Sequence, residues 1–179
     1  MTERLYYDNA YLTEFDAVVT ECAPCEGGFQ VRLDRSAFYP TSGGQPYDTG
    51  MLGAAHVTDV NVTDGDVWHT VDMPLEAGKP VHGSIDWARR FDHMQQHSGE
   101  HIVSGLLHKR FGCDNVGFHL GKDIVTIDFN HDISPEDLPS IEALANAFIW
   151  SVTAVCDIKN CFAALVKFNC SATATKYSN

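Results

Sequence analysis

Alternating apolar and polar residues dominate the first half of the chain. The stretches "DAVVTEC", "FQVRLDR", "AAHVTDVNVTDGDVWHTVD" and "PVHGSIDW" are rich in Val, Thr and aromatic residues and are separated by Gly, Asp and Pro clusters. That is the pattern of short strands burying one face. In the third stretch Asp64-Gly65 supplies the positive φ values that a two-residue hairpin turn requires. This half predicts a small β-barrel.

At Arg89 the period changes. Met94, Ile102, Val103, Leu106, Leu107 and Phe111 fall on one face of a helix running to Phe111, and Gly112 ends it. "VGFHLG" and "DIVTIDFN" then predict a β-hairpin. "SPEDLPSIEALANAFIW" predicts a helix with Ser134 as N-cap, Pro135 in its first position and Glu136 in its first turn. From Ser151 onward no clear period remains beyond "FAALVKF". The fold class expected is α+β, with a barrel domain over 1–86, a second domain over 87–150 and an atypical tail over 151–179.

Composition narrows the class. A chain of 179 residues, 44% hydrophobic, can bury a working core. It has no apolar run long enough to span a membrane, and "MTERLYYDNAYLTEF" is too polar for a signal peptide. A cytoplasmic protein without a membrane partner is expected. The six cysteines, at 22, 25, 113, 156, 161 and 170, are too sparse for a disulfide scaffold, so reduced thiols are expected. "CAPC" (Cys22, Cys25) has the spacing of a zinc or redox pair but stands alone, and an ordinary loop is expected there.

The formal net charge of -12 excludes nucleic-acid binding by bulk electrostatics, because neutralising many phosphates needs many cations. Any such contact must be local. Arg89 and Arg90 in "WARRF", and Lys109 and Arg110 in "HKRFG", are the candidates.

The chemistry concentrates in "FDHMQQHSGEHIVSGLLHKRFG". Residues four apart on a helix share a face, and two imidazoles so placed can ligate one Zn²⁺. His93, His97 and His101 form a run at that spacing, with His108 further along, so periodicity does not choose between pairs. "HSGEH" also matches the His-x-x-Glu-His pattern of inverted zinc peptidases, in which Glu100 would act as general base. Glu136 or Glu142 would then supply an acidic ligand, although 179 residues is short for a peptidase chamber. A solvated or second-sphere Glu100 is the plainer alternative.

A second motif, "AFYPTSGGQPYDTG", places Gly43 and Gly44 beside Thr41, Ser42 and Gln45. Such a segment lets backbone approach a small polar substrate closely, although a bare Ser-Gly-Gly is ordinarily a β-turn. "FYPTSGGQPYDTG", "RRFDHMQQHSGEHIVSGLLH" and "VGFHLGKDIVTIDF", in that order, resemble the freestanding alanyl-tRNA editing proteins of the AlaX type and the editing domain of alanyl-tRNA synthetase. The resemblance covers about residues 5–150.

The resemblance implies an N-terminal β-barrel followed by an α/β editing domain of the alanyl/threonyl-tRNA synthetase type. It implies a zinc-dependent hydrolase that removes serine or glycine from mischarged tRNA(Ala), acting on the acceptor end. The kinship with a synthetase carries nucleotide and ATP binding as further expectations. By position His97 and His101 match the family's first two zinc ligands, and Thr41, Ser42, Gly43, Gly44 and Gln45 match its glycine-rich motif, which shapes the aminoacyl pocket. Thr41 is expected to meet the serine hydroxyl, and Glu100 to orient water.

The family completes its zinc site with a Cys-x-x-x-His near the C-terminus. Here the last histidine is His131 and no such motif follows, as if the end were truncated or altered. Cys156, Cys161 or Cys170 would have to substitute, and weak zinc occupancy is expected. Two other classes therefore stand beside the editing hydrolase: a catalytically weak tRNA-binding relative and a small metallopeptidase.

Overall fold

The computed structural model describes residues 1–121 and 124–156. The chain forms two compact units, one of residues Met1–Phe91 and one from Asp92 onward. The fold is mixed, with one large antiparallel sheet and helices.

In the first unit a two-residue strand, β1 (Glu3–Arg4), precedes a single helical turn, α1 (Leu5–Asp8). The long strand β2 (Glu14–Cys25) turns back into β3 (Gly28–Leu33), and β4 (Arg35–Ser36) pairs in parallel with β1. β5 (Gly50–Leu52), β6 (Ala55–Thr63), β7 (Asp66–Val71) and β8 (Pro80–Ile85) follow. Six of these strands close on themselves in the order β2-β3-β7-β6-β5-β8, each antiparallel to its neighbours. Closure leaves no open sheet edge to be managed.

Alternation explains what fills the barrel. Phe15, Ala17 and Val19 of β2 point inward, as do Val31 and Leu33 of β3 and Val67 and Val71 of β7. On β6 the buried positions are Ala55, Val57 and Val60, and the phase slips where the β6–β7 register shifts between Val57 and Asp59. A bulge adds one residue to the period of two. The β6–β7 turn is the expected Asp-Gly type, with φ of 52° at Asp64 and 85° at Gly65.

One polar side chain shares this interior. His69 of β7 is fully buried, with Nδ1 3.1 Å from the Val31 carbonyl and Nε2 2.8 Å from the Ser36 hydroxyl. Nδ1–H donates to the carbonyl, so Nε2 accepts from Ser36, whose oxygen in turn accepts the Phe38 N–H at 3.1 Å. Burial pushes the His69 pKa down from 6.5 to about 4. The ring is neutral inside the barrel.

"CAPC" is not a loop. Cys22 and Cys25 lie in β2, paired with Val31 and Gly28 across the hairpin. Pro24 is compatible with a strand because it sits near the strand end, where a missing N–H is tolerated.

Helix α2 (Trp87–Phe111) begins in the first unit and supplies most of its length to the second. The hairpin β9 (Asn115–Leu120) and β10 (Val125–Phe129) follows, then α3 (Leu138–Cys156). Val103 and Leu107 of α2 and Ile141 of α3 form the core of this unit, with Phe111, Ile127, Phe129, Ile133, Leu138 and Ala145 packed against them. The start of α3 departs from expectation. Residues 135–137 form a turn, closed by the Asp137 N–H on the Ser134 carbonyl at 2.9 Å. The Asp137 carbonyl then accepts the first helical bond, from Ile141 N–H at 3.1 Å, so Asp137 and not Ser134 stands at the helix entry. The atypical tail expected over 151–179 begins inside α3, which runs on to Cys156, and residues 157–179 lie outside the described residues.

Candidate metal centre

Spacing on α2 brings His97, Glu100 and His101 to one face, since residues three and four apart are helical neighbours. One ligand-type atom from each lies within 4.8 Å of the others, and among the described residues these three make up the group. The two imidazoles stack, with centroids 5.0 Å apart and planes at 27°. Phe118 of β9 covers His97 from the other side at 5.3 Å. Burial first, and then the neighbouring His101, lower the His97 pKa, which favours the neutral, ligating imidazole.

Glu100 is buried, at 3% exposure, whereas His101 is open to solvent. Its Oε1 accepts from the Ser104 hydroxyl and from the Asn115 side-chain amide, each at 2.5 Å. The Asn115 amide is itself fixed, because its oxygen accepts the Gly117 N–H at 2.9 Å. The other oxygen, Oε2, stands 3.1 Å from Nδ1 of His101. Ser104 is four residues from Glu100 and could have been read from the helix. Asn115 comes from β9, and only the fold brings it in.

His93 is buried one turn earlier, and His108 pairs with Asp114 at 2.9 Å, so neither joins the cluster. Glu136 and Glu142, offered as acidic ligands, are exposed and also outside it. The side chains of Cys156, Cys161 and Cys170 lie outside the described residues. Two imidazole nitrogens and a carboxylate oxygen on one face form a donor set that suits Zn²⁺. Zinc fits the residues present.

The glycine-rich segment belongs to the first unit. Ser42 and Gln45 exchange backbone hydrogen bonds of 3.1 and 3.0 Å around Gly43 and Gly44, whose φ values are 57° and 79°. The β-turn and the candidate recognition loop are thus one object. Thr41, Ser42 and Gly43 are exposed, while Gln45 is buried at 5%. Thr41 N–H donates to the Val60 carbonyl at 3.1 Å, which leaves its side chain uncommitted to the backbone ladder.

Two of the four cations proposed for phosphate contact are already used. Arg90 is 2% exposed; it bonds Asp48, and its Nη1 and Nη2 donate to the Ala10 and Ala37 carbonyls at 3.0 and 2.5 Å. Arg89 donates from Nε to the Tyr47 carbonyl at 3.1 Å and lies over the Tyr47 ring at 5.4 Å. Both arginines pin the glycine-rich segment because a helix start faces it, which sequence order does not reveal. Lys109 and Arg110 remain exposed.

Comparison with known proteins gives this geometry a family. Residues 2–89 match the family model described as tRNA synthetases class II (A). The alanyl-tRNA editing protein AlaX-M of Methanosarcina barkeri is 38% identical over 161 residues, covering 83% of this chain and 65% of that protein. The alanyl-tRNA editing protein Aarsd1 of Danio rerio is 35% identical over 151 residues, 77% of this chain and 37% of that protein. The alanine–tRNA ligase of Pyrococcus furiosus is 39% identical over 158 residues, 83% of this chain and 17% of the ligase. Over most of its length the chain is similar to alanyl-tRNA editing proteins of the AlaX type. It spans from about a sixth to about two thirds of the length of these relatives. Among the described residues no helix is long and apolar enough to cross a membrane.

Proposed function

We propose that this chain is a trans-editing hydrolase that cleaves the ester of seryl- or glycyl-tRNA(Ala), with its second unit an editing domain of the alanyl/threonyl-tRNA synthetase type and its site of action the cytoplasm. The observation that carries the reading is the facing pair His97 and His101 in a chain similar to editing proteins over most of its length. A zinc ion held there would supply a Lewis acid for the ester carbonyl or an anchor for the α-amino group.

The chain's own residues do the rest. His97, held between His101 and Phe118, keeps a fixed ring orientation, and burial lowers its pKa, which favours the neutral form. The resemblance assigns the exposed turn at Thr41, Ser42, Gly43, Gly44 and Gln45 to the aminoacyl group. Its hydroxyls offer the hydrogen bond by which a polar site separates serine from alanine. Lys109 and Arg110 offer local charge to the acceptor end of the tRNA. An activated ester hydrolyses downhill without ATP, so this reading has no place for nucleotide binding.

Incubating the full chain with seryl-tRNA(Ala) and with alanyl-tRNA(Ala) tests the proposal. Zinc-dependent release of serine, with alanine retained, is expected. Loss of neither aminoacyl group, or cleavage of peptide substrates instead, would refute it.

A further inference from the structure

We propose that Asp59 of β6 is a specificity-determining residue, whose carboxylate takes the α-ammonium group that every aminoacyl-tRNA ester carries. This rests on the reading of the glycine-rich turn as the place of the aminoacyl group.

The path of the chain puts Asp59 beside that turn. β5 pairs with β6 only as far as Val57, and beyond it the Thr41 N–H bonds the Val60 carbonyl at 3.1 Å. Asp59 and Asn61 flank Val60. Because the Val60 side chain is buried in the barrel, alternation turns both neighbours to the outer face, and the Asn61 amide donates to Asp59 Oδ2 there. The register shift between Val57 and Asp59 re-aims this stretch, a device that recurs beside active sites. Thr41 and Ser42, on the other side of the Val60 bond, are exposed to solvent.

Charge singles Asp59 out. The carboxylates of the first unit that are not exposed are Asp34, Asp48, Asp59 and Asp66. Asp34 pairs with Arg35, Asp48 with Arg90 and Asp66 with Arg32, whereas Asp59 has no ion pair with a cation among the described residues. Burial raises its pKa, opposed by the Val60 N–H and the Asn61 amide. A half-buried anion with hydrogen bonds but no cation is costly to keep. It is costlier still where a polyanion docks, unless the ligand brings a positive charge of its own. On the acceptor end of an aminoacyl-tRNA the α-ammonium is that charge at neutral pH. Seryl and glycyl esters share it, so Asp59 selects for a free amino group while the hydroxyls of the turn select among side chains.

The test uses the full chain and a serine joined by an amide to 3′-amino-3′-deoxyadenosine, which does not hydrolyse, alongside its N-acetylated form. Calorimetric titration is expected to show the amine form binding at least about 10-fold tighter than the acetylated one, the worth of a charge-assisted hydrogen bond. Asp59→Asn, which keeps the shape and loses the charge, should reduce that preference to within about twofold by weakening the amine form alone. On seryl-tRNA(Ala) it should raise KM about 10-fold and leave kcat within about threefold. Should Asp59→Asn fail to fold, Asn61→Ala decides, with an expected loss of about threefold on the amine form only. No preference in the unaltered chain, a preference that survives Asp59→Asn, or equal weakening of both forms overturns Asp59 as the ammonium partner, even if seryl-tRNA(Ala) is hydrolysed. An amine preference that Asp59→Asn removes, in a chain that hydrolyses no seryl-tRNA(Ala), upholds Asp59 and overturns the hydrolase reading instead.

Discussion

Arg90 holds Asp48 across 42 residues of sequence in a contact from which water is excluded, with side-chain exposures of 3% and 0%. Asp48 Oδ2 accepts from Arg90 Nε at 2.7 Å and from its Nη2, and also from the Tyr39 N–H at 2.6 Å. The Asp48 N–H returns a bond to the Tyr39 carbonyl at 2.9 Å, so the pair closes the base of the glycine-rich segment. The start of α2 and the turn at Gly43-Gly44 are therefore fixed together within the first unit.

Removing one partner of a buried ion pair leaves the other uncompensated, at a cost of about 3–5 kcal/mol. Arg90→Met and Asp48→Ala are each expected to destabilise the fold by that amount in urea denaturation. A loss below about 1 kcal/mol would show that the pair is hydrated in solution.

His69 makes stability depend on pH. Its pKa of about 4 lies below the ordinary 6.5, so between those values the unfolded chain binds the proton that the folded chain refuses. The contribution is complete above pH 6.5, fades as pH falls towards 4, and amounts to about 3 kcal/mol. Urea midpoints of the chain and of His69→Gln, compared from pH 7.5 to 4, should differ in slope over that window. Parallel profiles would mean that the ring protonates without opening the barrel.

His97→Ala combined with His101→Ala is expected to abolish zinc retention and any seryl-tRNA(Ala) hydrolysis. His93→Ala, one turn away and outside the cluster, should keep the metal and lose only stability. Metal analysis of the purified variants checks this, and equal zinc loss from His93→Ala would redraw the ligand set.

Thr41→Val removes a hydroxyl from an exposed turn whose backbone bond to Val60 stays intact. Hydrolysis of seryl-tRNA(Ala) should fall roughly 3- to 10-fold, the worth of one neutral hydrogen bond, with glycyl-tRNA(Ala) hydrolysis unaffected. Parallel loss on both substrates would assign Thr41 to the shape of the turn instead of to the serine hydroxyl.

With Arg89 and Arg90 committed inside the fold, Lys109 and Arg110 are the cations of the original four left for phosphate. Two contacts give a log affinity against log salt slope of about −1.5. Filter binding of tRNA(Ala) between 50 and 200 mM salt, roughly the range over which such slopes are read, would contradict this with a slope steeper than about −5.

Local rules carried a large part of this protein. Alternation named the main strands, Asp64-Gly65 marked its own hairpin, and helical spacing put His93, His97 and His101 in one run with Glu100 a turn from His97. Each of these depends on neighbours within a few residues, where period and turn chemistry act. The order of motifs likewise pointed to the family. Tertiary structure decided what contact over long separations decides: that Arg90 serves Asp48 and not a phosphate, that Pro24 is tolerated near a strand end, and that the bulge at Val57 shifts the phase of β6. It also decided the orientation of Glu100, because Asn115 reaches it from another element. Helical period shows which residues share a face, but the burial of a charge, and which groups meet each of its two oxygens, follow only from what the rest of the chain packs against it.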